Sequence, residues 1–157
     1  MLIRKAVQAE VSVIWRVCNL AISAQCRNSY ADDVIEKWIA GAPTEKFIAD
    51  IEKNVWVADV DGEVVGFGKL NLTTGVVEAI FVHPDSMGTG VGTKMMAHLE
   101  RQAADYGLTE LTLNSSLNAV PFYRLCGFQG DQIGQHHSPS GVDLECVLMF
   151  KKIAQTA

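Results

Sequence analysis

The chain has no apolar run approaching the ~18 residues that a membrane-spanning helix requires. Met1-Leu2-Ile3-Arg4-Lys5-Ala6 lacks the long apolar region of a signal peptide. Basic clusters are missing too: 13 Lys and Arg against 18 Asp and Glu leave a formal net charge of −5, which argues against nucleic-acid binding. Cysteine is scarce, and Cys18, Cys26, Cys126 and Cys146 show neither C-x-x-C spacing nor a compact disulfide pattern. They read as four buried thiols in a cytoplasmic protein. There is no internal repeat, linker or low-complexity tract. What remains is a composition of 48% hydrophobic and 20% charged residues, ordinary for a globular protein, and 157 residues suffice for one domain, 1–157, with a full core.

Against that background one stretch stands out: Ile80-Phe81-Val82-His83-Pro84-Asp85-Ser86-Met87-Gly88-Thr89-Gly90-Val91-Gly92-Thr93. An apolar run, a Pro-containing turn, three glycines at alternate positions and a helix-like tail follow one another. A strand, a backbone-lined bowl and a helix N-terminus in succession aim unpaired N–H groups at one spot, where an anion is favoured. Glycine lets a ligand approach the main chain closely. Phosphate or pyrophosphate is the natural guest. The P-loop spacing fails, because Lys94 follows Thr93 rather than Gly. The dinucleotide fingerprint fails as well, because counting from Gly88 places Thr93 where its third glycine belongs.

The spacing that fits is Gln/Arg-x-x-Gly-x-Gly/Ala, and Met87 to Gly92 resembles the acetyl-CoA loop of the GNAT (Gcn5-related N-acetyltransferase) superfamily. A second block, Ser115-Ser116-Leu117-Asn118-Ala119-Val120-Pro121-Phe122-Tyr123-Arg124-Leu125-Cys126-Gly127-Phe128, resembles the family's N-x-x-A-x-x-F-Y-x-x-x-G-F segment at Ala119, Phe122, Tyr123, Gly127 and Phe128. The departures are Met87 for the usual Gln or Arg, Thr89 for a common Arg, and Ser116 at the family's Asn position. Together they remove charge near the pyrophosphate. The resemblance implies an α/β (α+β) fold with a mixed, mostly antiparallel central sheet and helices on both faces.

The residue pattern supplies a matching order of elements. Leu2 to Ala6 reads as a strand, and a helix is expected from about Gln8 to Arg27, where Val11, Ile14, Trp15, Cys18, Ala21 and Ile22 recur at helical spacing. A second helix is expected to be capped by Asp32, and a short one to cover Thr44 to Lys53. Strands flank the hairpin signal Asp61-Gly62, and a third covers Val76 to Val82. The motif helix should run from about Gly88 to Tyr106, stopped by Gly107. Leu111 to Leu113 is a strand, Asn118 to Cys126 a short helix, and Phe128 with Leu144 to Phe150 closes the sheet. Gly130 to Gly141 reads as the loosest segment.

What the resemblance implies chemically is direct transfer of an acetyl group from acetyl-CoA to a primary amine, carried by a small molecule or a peptide. Cofactor contacts fall on Ile80, Phe81, Val82, Met87, Gly88, Thr89, Gly90, Val91, Gly92 and Thr93. Asn118 either bonds the cofactor or caps the short helix, and Ser116 shares those alternatives. Tyr123 is the general acid, since a phenol is neutral at pH 7 and can protonate a departing thiolate. Glu78, placed by period 2 on Ile80's face, is the candidate base. Asn28, Tyr30 and Trp38 fall where the family builds its acceptor pocket. His83 reads as loop. His136 and His137 are adjacent and rarely converge on one ion, so no metal is expected. A non-catalytic acyl-CoA-binding module is the alternative, and a homodimer is left open.

Overall fold

In the computed structural model, which describes residues 1–138 and 140–154, Asp61 and Gly62 both take left-handed backbone, with φ of 52° and 88°. That pair closes a two-residue hairpin whose twist suits its strands. It joins β2 (Val55–Val60) to β3 (Glu63–Leu70). β1 (Leu2–Lys5) and β4 (Val77–Val82) add on either side, giving an antiparallel order β1-β2-β3-β4. A second antiparallel set, in the order β5-β7-β6, comprises β5 (Glu110–Ser116), β6 (Gln129–His137) and β7 (Asp143–Lys152). The two sets meet at a single parallel bridge, Val76 to Thr112, where Thr112 N–H donates to the Gly75 carbonyl at 3.0 Å. The sheet is thus mixed and mostly antiparallel. Beyond that bridge no ladder joins β4 to β5 among the described residues.

Helices cover both faces. On one lie α1 (Val11–Gln25), α2 (Asp32–Trp38) and α3 (Glu45–Asn54); on the other lie α4 (Val91–Tyr106) and α5 (Val120–Leu125). Alternation along the strands explains why both are needed. Val55, Val57 and Phe67 pack with Ile14, Val17 and Ile51 on the α1 side, while Trp56, Ala58 and Leu70 pack with Met95, Met96 and Leu99 on the α4 side. None of the described helices is long and apolar enough to cross a membrane.

Several expectations need correction. Asp32 does not cap α2: Ala31 holds the cap position without a side-chain bond, and Asp32 sits in the first turn, where its charge suits the helix dipole. Thr44 does cap α3, accepting from Phe47 N–H at 3.1 Å. The first long helix is shorter than expected because a 3-10 turn, Gln8–Glu10, precedes it. α4 begins at Val91, not near Gly88, since Gly88 and Gly90 are left-handed. The segment read as loosest is largely strand β6, in register with β7 from Ile133–Val147 to His137–Asp143. Gly134 there is no breaker; its bare backbone accommodates the Leu148 side chain, which would lie 3.2 Å from an added Cβ. Pro139 of that segment lies outside the described residues. Of the four thiols, Cys26 and Cys146 are buried, and Cys18 and Cys126 only partly so.

The bridge at Gly75 sets where the two halves of the sheet join. Gly75 has φ +79°, and a Cβ there would meet the Glu110 carbonyl oxygen at 2.8 Å. Gly75→Ala should therefore lose about 1–2 kcal/mol for the left-handed backbone and a further ~1–3 kcal/mol for the overlap. Gly41→Ala is the control, since Gly41 has φ +87° but nothing within 4 Å. Urea unfolding should show the larger loss at position 75; equal losses would remove the bridge from this role.

Candidate active site

β4 ends at Val82, and His83 turns the chain: its Nδ1 accepts from Asp85 N–H at 3.1 Å and a 3-10 turn, Pro84–Ser86, follows. Gly88 and Gly90 are left-handed, and nothing lies within 4 Å of a Cβ built on either, so their surroundings are open. Gly92 is glycine for another reason. A Cβ there would lie 3.1 Å from the Phe122 ring, so its absence lets α5 pack close to α4. From Gly88 through Thr89, Gly90, Val91 and Gly92 to Thr93, no main-chain N–H makes a hydrogen bond of ordinary geometry among the described residues. The first that does is Lys94, to the Gly90 carbonyl at 3.0 Å. These donors, at the positive end of a 16-residue helix, form an anion site built from backbone alone. The side chains of the loop are otherwise engaged: Met87 sulfur accepts from Gln25 Nε2 at 2.8 Å, and Thr89 Oγ1 donates to the Ser86 carbonyl.

The loop stands at the end of β4 farther from the Val76–Thr112 bridge. His83 N–H donates to the Val65 carbonyl at 2.8 Å, which fixes the phase of the β3–β4 ladder. By the alternation of antiparallel pairing, the peptide groups of Ile80 and Val82 face away from β3, toward β5, and those of Phe81 face β3. Ile153 N–H to the Thr109 carbonyl, at 3.0 Å, likewise turns the peptide groups of Asn114 and Ser116 toward β4. A cleft with unpaired backbone on both walls results. Phe81 is not part of it: its ring lies 5.8 Å from Phe67 and packs with the α1-side core.

Tyr123 is 8% exposed, with its ring between Phe122 at 5.2 Å and Phe128 at 5.9 Å. Burial raises its pKa, so the phenol stays protonated. Its hydroxyl makes no hydrogen bond among the described residues. Asn118 Oδ1 is enclosed and has no partner there either, an orphaned acceptor of the kind that calls for a ligand or water. Neither Asn118 nor Ser116 caps a helix, which removes that alternative; the 3-10 turn Leu117–Ala119 and α5 both start without a side-chain cap.

Glu78 is placed differently from the period-2 expectation. The register slips between Leu70–Val77 and Lys69–Ala79, leaving Glu78 as the extra residue of a β-bulge. The bulge turns it away from Ile80's face to that of Lys69 and α3. Glu78 Oε2 lies 3.0 Å from Lys69 Nζ, and Lys69 Nζ lies 2.9 Å from Asp50 Oδ2. Tyr123 belongs to the α4-side core, so acid and carboxylate candidates stand on opposite sides of the sheet. His136 of β6 is near enough to feel Glu78. Burial lowers the His136 pKa, neighbouring His137 lowers it further, and the Glu78 charge opposes both. His137 is taken by Asp143. Tyr30 Oη donates to the Glu145 carbonyl at 2.6 Å and accepts from Leu117 N–H at 3.1 Å; Ser140 Oγ donates to the Trp38 carbonyl at 3.1 Å. Tyr30 and the Trp38 carbonyl thus clasp the 26–38 stretch to the β6–β7 hairpin. Asn28 is exposed and takes no part in that clasp. Sequence reasoning missed Asp50 and Lys69. The i,i+4 pair Lys46–Asp50 on α3 was legible, but its connection through Lys69 to Glu78 depends on the bulge.

A family model described as acetyltransferase (GNAT) domain matches residues 23–144. The chain is 31% identical over 114 residues to an aminoglycoside N(6′)-acetyltransferase type 1 of Stenotrophomonas maltophilia, a stretch covering 63% of this chain and 71% of that protein. It is 35% identical over 91 residues to the peptidyl-lysine N-acetyltransferase YjaB of Salmonella typhimurium, covering 56% and 60% respectively, so the match spans under two thirds of that relative's length. Among solved structures, a GCN5-related N-acetyltransferase of Rhodopseudomonas palustris superposes with a TM-score of 0.87 at 24% identity over 97% of this chain and 95% of its own. The PaiA N-acetyltransferase of Thermoplasma acidophilum, solved with coenzyme A, gives 0.71 at 19% identity over 96% and 98%.

Two thiols in the core on the α1 side are held protonated. Burial pushes Cys18 up to about 12 and Cys26 up to about 11, the latter eased by the Asn118 side chain. Because the thiolate is the reactive form, Cys18 and Cys26 should resist a disulfide-exchange reagent at pH 8 in the folded protein and react on unfolding in urea. Rapid labelling of either one in the native state, located by peptide mass, would contradict this placement.

Proposed function

Because this chain belongs to the acetyltransferase (GNAT) family, we propose that it is an N-acetyltransferase that takes acetyl-CoA as cosubstrate and passes the acetyl group directly to a primary amine. The observation that carries this reading is the run of unpartnered amides from Gly88 to Thr93 beside the β4–β5 cleft. Backbone donors suit a pyrophosphate without a cation from the loop, so Met87 and Thr89 are compatible with binding although neither carries charge. Gly88, Thr89, Gly90, Val91, Gly92 and Thr93 supply the donors. Ile80 and Val82 offer main-chain groups to the pantetheine arm, and the orphaned Asn118 Oδ1 offers an acceptor to one of its amides. Phe81 acts from behind, as packing under the strand.

Tyr123 donates its proton to the departing thiolate from the α4 side, and Glu78 accepts the amine's proton from the opposite side. That division lets the amine lose its proton to one group and the sulfur leaving the tetrahedral intermediate gain one from another, as a direct transfer requires. The relatives named for an aminoglycoside N(6′) position and for peptidyl-lysine support an amine acceptor in general terms. All four cysteines are free, which supports a reducing, cytoplasmic setting, and residues 1–157 are proposed to form one domain.

Acetyl-CoA at about 100 times its dissociation constant should stabilise the protein by ~2.7 kcal/mol. Gly90→Asp places a carboxylate among the amides on left-handed backbone and should abolish the shift in a thermal melt; an unchanged shift would sink the cofactor assignment. Tyr123→Phe keeps the ring and removes the proton. It should lower kcat by about 10²–10⁴ with cofactor stabilisation intact, read as free-thiol release with an amine panel. Full activity would assign the proton to another group. Absence of amine-dependent thiol release from the unaltered protein would favour the non-catalytic acyl-CoA-binding module.

A further inference from the structure

Lys69 has no part in the chemistry above, yet its placement is costly. It lies in an interior strand, its side chain is 12% exposed, and a nearly buried ammonium is tolerated only when paired. Its partners come from two elements: Asp50 of α3 at 2.9 Å and Glu78 of β4 at 3.0 Å. Asp50 Oδ2 also takes Lys46 Nζ at 2.7 Å. Lys46, Asp50, Lys69 and Glu78 therefore form a ladder of alternating charge. It starts at a lysine side chain 71% exposed and ends at a carboxylate 27% exposed. At that end Glu78 meets Lys69 through Oε2, while Oε1 accepts no hydrogen bond among the described residues.

We propose that Lys69, braced by Asp50, is a positioning residue that holds Glu78 with Oε1 presented to the acceptor, and that the site therefore selects amines arriving as alkylammonium cations. The proposal rests on the acetyltransferase reading. A glutamate side chain left free would lose rotamer entropy on gripping a substrate; pinned through Oε2 by a lysine that is itself pinned, it is oriented beforehand. The bulge supplies the direction, toward the face where the 26–38 stretch and the β6–β7 hairpin are clasped and where His136 stands near. The cation docks on Oε1 and gives one proton to it. The neutral amine then has its lone pair free, and the resulting carboxylic acid returns the proton to water after transfer.

The test uses the protein saturated with CoA, methylammonium chloride as the probe, and the carboxyl carbon resonance of Glu78 as the readout, with sodium chloride at equal ionic strength as the control. The unaltered protein should show a saturable methylammonium shift that sodium chloride does not reproduce. Lys69→Met should weaken the apparent affinity at least tenfold, Lys69→Arg should restore most of it, and Asp50→Asn should weaken it less than Lys69→Met. CoA stabilisation should be equal in all of them. If Lys69→Met does not fold, the Asp50→Asn and Lys69→Arg arms still decide. A Glu78 resonance indifferent to methylammonium overturns the proposal, as does an affinity unchanged in Lys69→Met or Asp50→Asn. Either result with CoA stabilisation preserved leaves the acetyltransferase reading standing, whereas loss of CoA stabilisation in the unaltered protein strikes that reading itself.

Discussion

One constraint organises this molecule: β4 and β5 are joined at their start and, among the described residues, by no ladder after it. The bond from Thr112 N–H to the Gly75 carbonyl and the single bridge at Val76 fix the point of contact. From there the strands pair with other neighbours, β4 with β3 and β5 with β7. Unpaired main chain inside a sheet is ordinarily expensive. Here the cost falls on Ile80, Val82 and Asn114, while the Ser116 carbonyl accepts from Ser115 Oγ at 2.7 Å, and the unpaired groups become the means of holding a substrate. The glycine loop is placed by the same geometry, because it begins where β4 ends.

The bulge at Glu78 is the second device. Without it, strict alternation would put Glu78 on the side of Ile80, facing α4 and sharing a face with Tyr123's core. With it, the carboxylate moves to the side of α3 while Ile80 and Val82 keep their direction. A one-residue irregularity thus separates acid from carboxylate across the sheet. It also brings Lys69 and Asp50 into contact with a residue that sequence spacing does not connect to them.

Much of the fold was legible because its signals are local. Asp61-Gly62 demanded left-handed backbone and formed the hairpin; Gly107, with φ 98°, ends α4 where the pattern stopped. The glycine loop was legible for the same reason, since Gly88 and Gly90 serve through their own φ values. What sequence could not resolve was set by partners distant in the chain. β6 read as loose because Gly130 and Gly134 carry no side chain to mark a face, and only pairing with β7 makes that stretch a strand. Glu78's face depended on a register slip against β3, and no periodicity within β4 encodes it. Phe81 read as a cleft residue by adjacency to Ile80 and Val82, but its peptide groups are spent on β3 and its ring on Phe67.

The central claim is that main-chain N–H groups, more than side chains, hold the cosubstrate between the halves of the sheet. An amide proton–nitrogen correlation spectrum recorded during titration with acetyl-CoA tests it most directly. The account predicts saturable downfield movement of the Gly88, Gly90, Gly92 and Thr93 amides together with those of Ile80 or Val82, while the Phe81 amide, bonded toward β3, moves little. Saturation with the glycine amides stationary, and with the perturbed resonances gathered elsewhere on the fold, would contradict it.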